Sequence, residues 1–257
     1  MKKFIAILSL CIFICSCSNQ TNNDNTLIQV STIDALLAGY YDGVMPLNKL
    51  ATYGDFGIGT FNKLEGEMIV LDGVIYQFKV DGKIYKADLN NTTPFATVVN
   101  FKSSFDFPVK SVKSYNDFES IIDSTIKNKN LLYAIKATGK FSYIKTRSVP
   151  EQEKPYKPLS EVTKNQTVFE RQDQTGTLVG FLLPSFTSGV NVPGYHLHFL
   201  TSDKSFGGHV LEFSIDEAKV EIQEINNFYM TLPEDDSAFG NIDLSKDRSK
   251  ELHEVEK

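Results

Sequence analysis

Two Asp-Gly dipeptides, Asp72-Gly73 and Asp81-Gly82, each sit between short apolar runs. Asp-Gly is a preferred pair for tight hairpin turns, whose central residues need positive φ. The runs around them, residues 67–71, 74–80 and 83–87, therefore read as an antiparallel β-meander. Residues 97–101 read as a further strand. Tyr115, Phe118, Ile122 and Ile126 fall on one face of a helix over 115–126. Residues 31–38 read as a short helix, capped by Ser31 or Thr32 and ended by Gly39. Gly54–Thr60 (GDFGIGT) has no lysine and no P-loop pattern, so it reads as a loop that brings backbone close to a neighbour. Residues 131–137 and 140–146 suggest a hairpin around Thr138-Gly139. The prolines between Pro150 and Pro158 mark a crossover. Strands at 168–171, 177–183, 195–201, 209–215 and, in pieces, 218–232 fill the second half, and 250–256 reads as helical. The expected class is α+β (mixed α/β) with two β-rich domains, residues 28–160 and 161–257.

Cys11, Cys15 and Cys17 are the only cysteines. The rest of the chain can hold no disulfide, thiolate metal site or cysteine nucleophile. Residues 1–17, MKKFIAILSLCIFICSC, combine Lys2 and Lys3 with an apolar run too short to span a bilayer as an ordinary helix. The run ends Ile14-Cys15-Ser16-Cys17, which resembles a bacterial lipobox with Cys17 as the lipidated residue. The expectation is an exported lipoprotein, anchored by acyl chains in the cell envelope, with 18–27 as a polar tether. The chain has 257 residues and a formal net charge of −6. With no basic cluster beyond its start, this acidic balance argues against nucleic acid as a partner.

Three of the four histidines lie in one window, Gly194-Tyr-His-Leu-His-Phe-Leu followed by Gly207-Gly208-His209. On a strand, His196 and His198 project to the same side, and Leu197 and Phe199 to the other. A return through Gly207-Gly208 would bring His209 beside them. Three imidazoles on a β-hairpin suit a divalent cation, zinc foremost, with open positions for water or substrate. HxH…H spacing implies the metal and leaves the reaction open. The cupin pattern, which expects a glutamate soon after HxH, is not met.

GYHLHF…GGHV resembles the metal motif of the α-acetolactate decarboxylases. The resemblance runs over residues 28–257 and includes GDFGIGTF (54–61), LEGEMIVLDGVIYQ (64–77), TPFATVVNF (93–101), IKTRSVPEQEKPY (144–156) and GTLVGFLLP (176–184). It implies zinc-dependent conversion of 2-acetolactate to acetoin and CO2 through a metal-stabilised enediolate, in a two-domain, homodimeric protein. It assigns His196, His198 and His209 to the metal and makes Glu67, Arg147 and Glu256 catalytic. Glu65 competes with Glu67, and Glu254 with Glu256, while His253 reads as a tail residue. The exported leader departs from the cytoplasmic habit of the family. Two other readings of the same residues stand at this point: a non-catalytic zinc-binding surface lipoprotein and a zinc hydrolase using metal-bound hydroxide.

Overall fold

The computed structural model describes residues 25–234 and 237–256. The leader, its lipobox and Cys17 lie outside the described residues. Among the described residues fourteen strands form: β1 (Thr26–Val30), β2 (Met45–Pro46), β3 (Phe56–Thr60), β4 (Glu67–Leu71), β5 (Val74–Phe78), β6 (Ile84–Lys86), β7 (Thr92–Thr93), β8 (Ala96–Val99), β9 (Phe105–Val112), β10 (Leu132–Ser148), β11 (Thr167–Leu183), β12 (Gly194–Thr201), β13 (Gly207–Ile225) and β14 (Asn227–Thr231). Six short helices join them: α1 (Ile33–Leu37), α2 (Leu47–Leu50), α3 (Tyr115–Thr125), α4 (Leu159–Val162), α5 (Ser237–Gly240) and α6 (Ser249–Glu256). The class is strand-rich α+β, as expected from sequence.

Both Asp-Gly pairs fall between strands, with Gly73 and Gly82 at positive φ. The meander β4-β5-β6 forms one side of a seven-stranded sheet in the order β14-β1-β8-β3-β4-β5-β6. A second sheet has the order β10-β11-β12-β13-β9. Its strands β10 and β13 also pair with each other, which closes β10 to β13 into a ring. β2 and β7 form a separate small ladder. Sheet membership does not divide the chain near residue 160. β9 and β10 precede that point yet belong to the second sheet, while β14 follows it and pairs in parallel with β1.

Two local expectations are corrected. Residues 54–60 hold the strand β3, not a loop. Gly57 and Gly59 sit opposite β8, where a Cβ would come within 2.2 Å of the Thr97 carbonyl oxygen and 2.5 Å of that of Phe95. These glycines do serve close backbone approach, inside a ladder. There is also no turn at Thr138-Gly139, because β10 runs unbroken for 17 residues. Gly139 faces Gly176 on β11, and a Cβ on it would lie 2.1 Å from the Glu217 carbonyl oxygen. The glycine that reads as a turn permits a tight strand crossing instead.

The two faces of the second sheet meet different neighbours. Leu197, Phe199, Phe141 and Phe213 pack inside the ring with Phe118 and Ile122 of α3. Val179, Phe181 and Leu200 pack against Phe56, Ile58 and Ile69 of the first sheet. At ~25 cal/mol per Å² of apolar surface, fully burying each such side chain is worth about 1.5–3 kcal/mol before entropy is counted. Thr32 caps α1 by accepting from the Ala35 N–H, and Ser114 caps α3 by accepting from that of Asp117. No described helix is long and apolar enough to cross a membrane.

Candidate active site

In an antiparallel ladder, directly paired residues point to the same face. His198 on β12 pairs with His209 on β13, and His209 pairs on its other side with Arg147 on β10. Two imidazoles and the guanidinium stem therefore project together. His196, two residues before His198, joins them by strand alternation. The ring centroids are 5.0–5.3 Å apart, and His196 Nε2 lies 3.2 Å from His209 Nδ1. The face they share is turned toward the first sheet, so the cluster lies between the two sheets.

Glu67 is the first residue of β4, in that opposing sheet. Gly66 before it has a φ of +79°, and a Cβ there would strike the Phe78 carbonyl oxygen. The Glu67 Oε2 lies 3.7 Å from His198 Nε2. From the chain's other end, α6 brings Glu256 Oε2 to 3.7 Å from both His196 Nε2 and His209 Nε2. Leu252 and Val255 hold that helix, packing beside Ile33, Leu36, Val149 and Leu159. All six residues line one small cavity of about 40 Å³, roofed by apolar side chains of α1, α4 and the segment around Leu64.

The competing glutamates lie elsewhere. Glu65 is ion-paired with Lys79 and accepts from Gln77, and it does not line the cavity. Glu254 and His253 are exposed on α6. Glu151 pairs with Lys63 rather than with Arg147. Two partners carry no sequence signal. The Met68 carbonyl accepts from His198 Nδ1 at 2.8 Å, and Gln166 Oε1 accepts from Arg147 Nη1 at 2.9 Å. A backbone carbonyl and a polar residue after a short turn follow no pattern that a linear reading detects.

The electrostatics follow from burial. Desolvation pushes the His196 imidazole down to about 3, with Arg147 acting in the same direction. His198 and His209 are held well below the usual histidine range by burial first, and then by Arg147 and the neighbouring imidazoles. All three rings are therefore neutral at pH 7, as metal ligands must be. Burial raises Glu67 and Glu256 to about 7 against the pull of Arg147, with Glu256 adding to the rise at Glu67.

The residues fit a metal ion. A carbonyl can only accept, so His198 must carry its proton on Nδ1, which leaves the Nε2 lone pair free. That Nε2 is buried and has no hydrogen-bond partner. One nitrogen of each histidine lies within 4.8 Å of the others. Nitrogens bound tetrahedrally to zinc at ~2.0–2.1 Å are about 3.3 Å apart, close to the 3.2 Å between His196 Nε2 and His209 Nδ1.

Comparison with known proteins shows the family of the chain. Residues 27–246 match the family model described as alpha-acetolactate decarboxylase. An alpha-acetolactate decarboxylase of Methanosarcina mazei is 48% identical over 236 residues, covering 92% of this chain and 82% of its own. One from Brevibacillus brevis is 41% identical over 232 residues, covering 90% and 81%. The crystal structure of alpha-acetolactate decarboxylase from Bacillus subtilis superimposes with a TM-score of 0.87 at 38% identity, covering 90% of this chain and 99% of that one.

Proposed function

Since the chain belongs to the α-acetolactate decarboxylase family and is an acetolactate decarboxylase, we propose that it is zinc-dependent and that His196, His198 and His209 hold the ion. The observation that carries this is the convergence of three imidazoles, one guanidinium and two carboxyls on a single buried cavity. Zinc held there would supply Lewis-acid stabilisation for the negative charge that builds on the ketone oxygen.

The substrate is a β-keto acid. When its C–C bond to the carboxylate breaks, CO2 leaves and the electron pair delocalises onto the neighbouring carbonyl as an enediolate. Arg147 offers a permanently charged fork to the carboxylate and to the oxyanion that develops. It accelerates the reaction only by favouring the later charge over the earlier one. One carbon of the enediolate must then gain a proton to give acetoin. Glu67 and Glu256, raised toward 7, can hold a proton near neutral pH and deliver it, and solvent replaces it after each turnover. The two carboxyls approach from different elements, so the face of protonation depends on which is the donor.

The Lys2-Lys3 start, the short apolar run and the Cys17 lipobox support export and lipidation, with the enzyme tethered to the cell envelope and acting on acetolactate outside the cytosol. We place the working form as a homodimer, following the resemblance. The decisive experiment incubates the soluble chain starting at Ser18 with racemic acetolactate and follows acetoin, with and without a zinc chelator. Acetoin that disappears on chelation and returns with zinc supports the reading. Undiminished acetoin after complete metal removal overturns the zinc assignment.

A further inference from the structure

We propose that Gln166 is a positioning residue that fixes the Arg147 guanidinium while leaving its positive charge unneutralised for an anionic substrate. The proposal rests on the decarboxylase reading for the identity of that anion.

Arg147 is only 5% exposed. A buried guanidinium is ordinarily matched by a carboxylate, because an unpaired charge away from water is costly. Here its hydrogen-bond partner is a carboxamide: Nη1 donates to Gln166 Oε1 at 2.9 Å, and the buried Nε has no partner. Among the described residues no carboxylate forms an ion pair with it. The charged and titratable groups around it are Glu67, Glu256 and the three imidazoles, and each of them feels its field without bonding to it.

The guanidinium is held at both ends. At its root, Arg147 is laddered to Val168 on β11 and His209 on β13. At its tip, Gln166 fixes one amino group of the planar fork. Gln166 is itself set by the turn over 163–165, where its N–H donates to the Thr163 carbonyl at 3.1 Å. Thr163 lines the same cavity. A glutamate at 166 would make a similar bond and cancel the charge. An apolar residue there would keep the charge and release the tip. Glutamine does neither, which leaves Nε and the remaining amino protons for the oxygens of a carboxylate.

Two variants separate the two halves of the proposal. Gln166→Glu keeps the acceptor and adds a negative charge. It is expected to raise KM for acetolactate by about tenfold or more, and to weaken binding of 2-hydroxyisobutyrate, an unreactive α-hydroxy carboxylate, by a similar factor. Thermal midpoint and metal-to-protein ratio should not change. Gln166→Met keeps the charge and removes the tether. It is expected to lower kcat by about tenfold, with KM and 2-hydroxyisobutyrate affinity within about threefold of the parent. Parent-like 2-hydroxyisobutyrate binding by a folded Gln166→Glu overturns the charge half. Parent-like kcat in Gln166→Met overturns the tether half. A lowered melting point in both variants without the KM-against-kcat split assigns Gln166 to structure alone. If the parent binds 2-hydroxyisobutyrate yet makes no acetoin, the substrate reading fails, and the binding measurements still decide the role of Gln166.

Discussion

The histidines and Glu256 reach one cavity by opposite routes. The imidazoles stand on β12 and β13, where ladder hydrogen bonds on neighbouring strands set every Cα and direct pairing sets which side chains meet. Glu256 stands at the end of an eight-residue helix near the chain terminus, held by Leu252, Val255 and an Arg248–Glu251 contact at 3.4 Å. Isolated helices of that length are marginal, so α6 depends on its apolar face for its position. The first set is placed by backbone geometry and the second by a few side-chain contacts. Rigid ladders suit ligands that must keep a fixed mutual distance. A docked tail suits a group that must come close to substrate and can open locally at little free-energy cost.

This contrast can be broken at several points. The largest effect is expected from His198→Ala, which removes the lone pair fixed by the Met68 carbonyl. Metal content should fall well below one per chain, and activity by more than the ~10–100-fold typical of losing a supporting partner. Elemental analysis beside the acetoin assay checks both, and full metal content would remove His198 from the ligand set. Next, Glu67→Gln should lower kcat by ~10²–10⁴ with metal retained. A variant that keeps wild-type kcat would leave proton transfer to Glu256 alone. Truncation after Lys250 comes third. It should cost activity in the same range while the melting point moves by only a few degrees, because the removed turns add little to either main core. Full activity in the truncated chain would end the role given to Glu256. Arg147→Lys should lower kcat/KM by about 10–10², since one ammonium cannot replace the fork. The smallest effect belongs to Glu254→Gln, whose exposed side chain lies on the opposite side of α6 from Glu256. Its kcat/KM should stay within about twofold of the parent, and a large loss would mean that α6 docks with a different face inward.

Legibility in the sequence follows the same division. Strand alternation is a local property, so the shared face of His196 and His198 can be read from two positions, and the Asp-Gly turns mark the meander with no long-range knowledge. Ladder partners are not local. That His209 stands between His198 and Arg147 depends on three strands far apart in sequence. Gly139 shows the limit in another form. A glycine permits both a turn and a close crossing, and only the chain packed against it decides between them. Glu67, Arg147 and Glu256 are legible only through the family resemblance, because residue type and periodicity alone leave Glu65 and Glu254 equally plausible. Gln166 and the Met68 carbonyl are not legible there, because an amide at a turn and a backbone oxygen carry no pattern.

The parallel pairing of β1 with β14 has a consequence for how the chain is built. Thr26 is in register with Asn227, near opposite ends of the polypeptide. As the chain is made from its N-terminus, β1 can pair early with β8, but its other edge stays open until residues 227–231 have been made. Contacts of such long sequence separation are slow to form. A half-finished chain would carry that unpaired edge, open to association with other chains. If the proposed export delivers the chain unfolded, both edges of β1 can close together.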